Sequence, residues 1–233
     1  MLLGYGIDPQ TLTASVDSFI RSAESIGLKK YEIIVTDPQD RDGCLRERRN
    51  VSYVCCSRHV CTGDARNIGL ALAKGELVVF CDGDTAVHES YLRETLFRHT
   101  IAGNLITVCM REDVKSIASL PERLPSVTED TRYRAVYTPD RIGSVRVERT
   151  IEVRALEETD NFKSFGFGKL LGPANLPFMV KGNNICISRK KANIGFPPNF
   201  VGYGPEDVTF AAKAIARGCF VVPVLSTGVF HQR

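Results

Sequence analysis

No tryptophan occurs in this sequence, so any aromatic stacking surface has to come from tyrosine or phenylalanine. Long apolar runs are also missing. Leu77–Cys81 and Phe220–Leu225 end far short of the ~20 residues that cross a bilayer. The first residues show no charged segment leading into an apolar core, so no secretory signal pattern is visible. Among the eight cysteines no C-x-x-C pair occurs, and the close cluster Cys55, Cys56 and Cys61 lacks the second pair that zinc spacing requires. Several cysteines sit inside apolar runs, which reads as reduced thiols in a cytoplasmic setting. A charge excess of one sign is lacking too: 30 basic against 27 acidic side chains leave +3, which gives no footing for a nucleic-acid partner. No repeat, low-complexity tract or Gly/Ser linker divides the chain.

What remains is ordinary globular composition, with 43% apolar and 24% charged residues over 233 positions. Short apolar runs alternate with helical patterns, which is how an α/β sheet reads. Leu2 and Leu3 form a brief first strand. Val16, Phe19, Ile20, Ala23 and Ile26 keep helical spacing, with Thr13 as the expected N-cap and Gly27 as the stop. Further strands are expected over 31–36, 51–55, 77–81, 105–110, 184–188, 220–225 and 228–231, and helices over 65–74, 90–99 and 205–217. Residues 111–171 break this rhythm with a polar composition and read as a variable segment or lid. His59, His88 and His99 fall in loop or polar helix contexts and are assigned to the surface.

Two carboxylates, Asp82 and Asp84, follow the apolar run Leu77–Cys81 directly. A D-x-D pattern alone says little, since Asp40-Arg41-Asp42 matches it as well. Position separates them: ligands of open α/β sheets bind beyond the carboxyl ends of strands. Hard oxygen ligands there suit Mn²⁺ or Mg²⁺ bridging to a diphosphate. An Asp-Gly turn bonding local amides accounts for the same residues equally well.

The text from Ala65 to Asp84 is Ala-Arg-Asn-Ile-Gly-Leu-Ala-Leu-Ala-Lys-Gly-Glu, a strand, then Asp-Gly-Asp. It resembles the signature of nucleotide-sugar glycosyltransferases with the GT-A fold, family 2 in type. The resemblance implies a mixed Rossmann-like sheet flanked by helices and a UDP-sugar site. It also implies Asp82 and Asp84 at the nucleotide and metal, Arg66 near the nucleotide, and Asp37 near the base. From the residues alone, Arg66 could equally pair with Asp64 at the surface and Asp37 could form a turn before Pro38. A second block runs from Lys181 to Ser188 and on through Gly195-Phe196 to Gly202-Tyr203-Gly204-Pro205-Glu206-Asp207. This is similar to the acceptor half of β1,4-galactosyltransferase and chondroitin-polymerase enzymes. That similarity implies Asp207 as the catalytic base of an inverting transfer, with Tyr203 and Glu206 at the acceptor. Two acids in the first turn of a helix also complement its dipole without any further role. Tyr203 stands where those families have tryptophan, Val208 where galactosyltransferases have a further Asp, and Gly4-Tyr5-Gly6 where a Pro-x-Tyr-Asn stretch is usual. His231 follows the last apolar run, and the resemblance implies that it completes a metal site with Asp84; an exposed histidine without a role is the plainer alternative.

The expectation is one GT-A domain over 1–233: a nucleotide-sugar half to 110, the variable segment 111–171, and an acceptor half over 172–233. It would move a Gal, GalNAc, GlcNAc or Glc unit from UDP to a hydroxyl of a glycan, lipid-linked or small-molecule acceptor, with Mn²⁺ or Mg²⁺ as cofactor. The alternatives are a sugar-phosphate nucleotidyltransferase and a glycosyltransferase-like binding module without turnover.

Overall fold

The computed structural model describes residues 1–4, 6–38, 45, 48–57, 60–120, 133–137, 145–149, 176–200 and 205–232. Among these residues ten strands and six helices follow in order: β1 Leu2–Leu3, α1 Pro9–Glu24, β2 Ile33–Asp37, β3 Val51–Cys55, α2 Thr62–Leu72, β4 Leu77–Asp82, β5 Thr85–Val87 and α3 Tyr91–Ile101. Then come β6 Leu105–Val114, β7 Tyr133–Tyr137, β8 Val145–Arg149, α4 Leu176–Met179, β9 Ile185–Ser188, α5 Arg189–Ala192, α6 Pro205–Ala216 and β10 Phe220–Gln232.

Eight strands form one sheet in the order β3-β2-β1-β4-β9-β6-β10-β5, and β7 with β8 makes a separate antiparallel pair. The run β3-β2-β1-β4 is parallel, whereas β9 lies antiparallel to both β4 and β6. Alternation along β4 supplies both faces. Val79 and Cys81 pack with Leu12, Val16 and Phe19 of α1 and Tyr91 of α3, while Val78 and Phe80 pack with Phe196 and Phe210. A sheet with both faces covered in this way reads as near-continuous apolar strands, which is why β4 and β6 stand out in the sequence.

Several boundaries differ from the sequence expectation. The first helix is capped by Asp8, whose Oδ1 accepts the backbone N–H groups of Gln10 and Thr11, with Pro9 opening the helix; Thr13 lies inside it. β6 continues four residues past Met110, and β10 is a single strand in which two were expected. β5, α4 and α5 had no expected counterpart. His88 is fully buried, with Nδ1 2.8 Å from Ser90 Oγ, and His99 is half-buried, so neither is a surface residue. His59 and most of the expected lid lie outside the described residues, apart from the end of β6, residues 115–120, β7 and β8. The described cysteines are free thiols, and burial pushes Cys109 and Cys186 up to about 12, which keeps them protonated. No described helix is long and apolar enough to cross a membrane.

The single glycine between Asp82 and Asp84 is dictated by packing. A Cβ at Gly83 would meet the Leu3 carbonyl oxygen at 2.5 Å and Leu12 Cδ1 at 3.0 Å, and Gly83 N–H donates to that same carbonyl at 2.7 Å. The tight approach to β1 therefore sets how the two carboxylates leave the sheet. Gly83→Ala is expected to cost ~1–3 kcal/mol through overpacking. A melting temperature equal to that of the parent chain would contradict this close approach.

Candidate active site

The parallel half of the sheet aligns its carboxyl ends. Leu3 of β1 pairs with Thr36 on one side and Asp82 on the other, so Asp37 and Asp82 end β2 and β4 on the two sides of β1. Asp37 is fully buried and its Oδ2 accepts the Tyr53 hydroxyl at 2.6 Å. Asp82 and Asp84 flank Gly83 at the end of β4.

The third chemistry-bearing residue arrives from the other end of the chain. β10 runs parallel to β6 with Val224 opposite Cys109, then shifts register so that Gly228 stands opposite Met110 and His231 opposite Asp113. Four steps on β10 against one on β6 leave three extra residues, 225–227, in a bulge. An odd shift exchanges the faces on which side chains emerge. The bulge is pinned to α3, because Ser226 Oγ donates to Glu94 Oε2 at 2.5 Å and Ser90 Oγ donates to Thr227 Oγ1 at 3.0 Å. Beyond it, Gln232 N–H donates to the Asp84 carbonyl at 2.9 Å and His231 pairs with Thr85, so the strand end is held against the Asp82–Asp84 turn.

His231 Nε2 consequently lies 3.5 Å from Asp84 Oδ1. Asp82, Asp84 and His231 can each offer one ligand atom with all three within 4.8 Å of one another, the one such group among the described residues. Two carboxylates and an imidazole are a donor set that Mn²⁺ accepts, so these residues could hold a divalent ion. Burial pushes the Asp84 carboxyl above the usual carboxylate range; the nearby Asp82 charge acts in the same direction and His231 opposes both.

Arg66, on α2, joins this cluster to the far half of the chain. It is 3% exposed. Its Nη2 donates to Asp82 Oδ1 at 2.9 Å and its Nη1 to Glu206 Oε1 at 3.1 Å, linking residues 140 positions apart. The guanidinium also lies over the Phe196 ring at 5.2 Å from the centroid. Asn67 secures the same joint, since its amide donates to the Phe196 carbonyl at 3.0 Å and accepts the Phe196 N–H at 2.8 Å. Phe196 in turn stacks on Phe210 of α6, with centroids 4.3 Å apart. Gly182 borders the guanidinium so closely that a Cβ there would collide with Arg66 Nη2.

Asp207 follows Glu206 in the first turn of α6, where the helix dipole favours negative charge. It is 7% exposed. Gly182 N–H donates to its Oδ2 at 2.9 Å and Val208 N–H to its Oδ1 at 2.7 Å. Burial pushes its carboxyl above the usual range despite the Gly182 bond, and the charge of Glu206 adds to the rise. Asp37, Arg66, Asp82, Asp84, Glu206, Asp207 and His231 are thus accounted for in the described structure, while Tyr203 lies outside it. Sequence reasoning missed the polar end of β6, Arg111 and Asp113. The available signal was the alternation Arg111, Glu112, Asp113, Val114 continuing an apolar strand.

This mixed sheet, with its carboxylates at the strand ends, defines the class as a GT-A domain, a fold shared with solved structures of Staphylococcus aureus TarS and of GalNAc-T7. A TarS 1–349 structure matches with a TM-score of 0.61 at 15% identity, covering 99% of this chain and 59% of that one. The GalNAc-T7 structure, solved with UDP, GalNAc and Mn²⁺, matches with a TM-score of 0.55 at 16% identity, covering 93% of this chain and 41% of that one. The family model for glycosyl transferase family 2 matches residues 8–149, and the chain belongs to that family. It is 33% identical over 101 residues to a cholesterol galactosyltransferase of Borreliella burgdorferi, covering 41% of this chain and 28% of the relative. It is 28% identical over 222 residues to a hyaluronan synthase of Pasteurella multocida, covering 87% of this chain and 21% of the relative. The chain therefore spans 28% and 21% of the lengths of these two relatives.

Breaking a buried pair leaves an uncompensated charge, which costs ~3–5 kcal/mol. Arg66→Met is expected to lose stability on that scale, and adding Glu206→Gln should recover part of it. Urea unfolding of the two variants tests this; equal midpoints for Arg66→Met and the parent chain would refute the bridge.

Proposed function

We propose that the domain transfers a sugar from a UDP-sugar to an acceptor hydroxyl with inversion, and that Asp207 is the base. The observation that carries this reading is the Arg66 bridge. One guanidinium spans from Asp82 to Glu206, the immediate neighbour of Asp207, which supports reading the carboxylates of both halves as one site. Family membership supports sugar transfer over nucleotidyl transfer or binding alone. UDP and Mn²⁺ in the GalNAc-T7 structure, and UDP-GlcNAc in a TarS complex, support the donor class.

In this reading Asp37, held by the Tyr53 hydroxyl, lies near the nucleobase, and Asp82 and Asp84 face the diphosphate. Asp82, Asp84 and His231 would hold Mn²⁺ or Mg²⁺, which when bound supplies positive charge opposite the leaving diphosphate. Arg66 keeps Asp82 and Glu206 in place. Asp207 accepts the proton of the acceptor hydroxyl as that oxygen forms its bond to the anomeric carbon, while the bond to the diphosphate oxygen breaks and its electron pair leaves with UDP. Direct displacement inverts the anomeric centre. A base must be ionised to act, so turnover should fall as pH drops through the raised Asp207 value, in a window above that of an ordinary carboxylate. Tyr203 and Glu206 would border a glycan, lipid-linked or small-molecule acceptor.

UDP release measured with UDP-Gal, UDP-GalNAc, UDP-GlcNAc and UDP-Glc, each with and without acceptors, tests the activity. Asp207→Asn keeps the shape of the side chain but cannot take the proton, so turnover should fall ~10²–10⁴-fold while UDP affinity stays near that of the parent chain. Normal kcat in this variant would refute the base assignment and direct attention to Glu206.

A further inference from the structure

We propose that Asp113 is a positioning residue for the ion site: it holds the Nδ1–H of His231, so that the Nε2 lone pair is left for the cation. The proposal rests on the reading of His231 as a ligand. Its basis is the geometry of the β6·β10 ladder, which sets Asp113 opposite His231. The two imidazole nitrogens meet different carboxylates. Nε2 lies 3.5 Å from Asp84 Oδ1, on the side of the three-residue cluster, and Nδ1 lies 3.3 Å from Asp113 Oδ1. Nδ1 is shielded from solvent and has no hydrogen-bond partner in the present ring orientation, so a proton placed there has the Asp113 carboxylate as its nearby acceptor.

Asp113 is well suited to this task and poorly suited to being a ligand itself. Its side chain is 7% exposed, and its Oδ1 is already engaged by Arg111, with Nε and Nη2 both at 3.0 Å. The guanidinium fixes the carboxylate and offsets its charge, so a negative group stands behind the imidazole without adding a full charge to the site. Metal-bound histidines commonly donate their second ring N–H to such a carboxylate, which fixes the tautomer and raises ligand basicity. The register shift at 225–227 is what brings the imidazole here: without it the residue opposite Asp113 would be Gly228.

The test begins on the unaltered protein in excess chelator, with ¹⁵N-labelled histidine and His231 assigned by the signal missing from His231→Ala. Neutral His231 should carry its proton on Nδ1; a proton on Nε2 overturns the proposal. Mn²⁺ affinity is then measured by electron paramagnetic resonance on the parent chain, Asp113→Asn and His231→Ala. Asp113→Asn should weaken Mn²⁺ binding ~10–100-fold and move the tautomer toward Nε2–H. If His231→Ala weakens binding and Asp113→Asn does not, the positioning role is wrong and the ligand reading stands. If His231→Ala binds Mn²⁺ like the parent chain, the ligand reading fails and the proposal falls with it. Weaker binding in Asp113→Asn with an unchanged tautomer would make Asp113 a ligand or a source of field, and also overturns it.

Discussion

A buried guanidinium between two carboxylates is expensive to form, because each charge gives up hydration worth several kcal/mol, and it persists only when every partner is well placed. Arg66 meets that condition by bonding Asp82 at the end of β4 and Glu206 at the start of α6. The relative position of these two elements is therefore constrained, and the rest of the site follows from them. Asp84 is two residues beyond Asp82 across a glycine that β1 holds close, and Asp207 is the next residue after Glu206. Asn67 and the Phe196–Phe210 stack tie the same joint through backbone hydrogen bonds and ring contact, so polar and apolar forces restrain one geometry. The Arg-Asn pair of the sequence signature thus has a structural meaning: one side chain bridges carboxylates and the next clamps the loop that carries Phe196.

The second constraint is the β6·β10 ladder. A parallel pair of this length needs its register specified, and here it changes once, at a bulge anchored on α3. Past the bulge, the strand delivers His231 both to the Asp82–Asp84 turn and to Asp113. The chain's last described strand and its central acidic turn are consequently joined by backbone hydrogen bonding, which makes the disposition of His231 a property of the sheet.

The alternation of apolar runs and helical patterns was enough to reveal the α/β class, because β4 and β6 are covered on both faces and so stand out as apolar runs. The positions of Asp37, Asp82 and Asp84 at strand ends were legible for the same reason. Asp8-Pro9 was an available start signal for α1, but the apolar periodicity beginning at Val16 drew the cap to Thr13, inside the helix. The antiparallel insertion of β9 between β4 and β6 left no local trace, since a strand buried on both faces reads alike in either direction. β6 was expected to stop at Met110 because its last residues are charged, and one of them, Asp113, stands 3.3 Å from the His231 imidazole. The bulge in β10 made one strand look like two. His88 reads as polar, and only the tertiary packing around Ser90 and Thr227 reveals that its imidazole is buried and hydrogen-bonded.

Negative charge gathered at the strand ends would repel a diphosphate unless a cation stands between them. Calorimetric titration of the protein with UDP, in excess Mn²⁺ and in excess chelator, tests this most directly. Saturable binding with Mn²⁺ and a large loss of affinity in chelator are expected. UDP binding of equal affinity in the two conditions would contradict this.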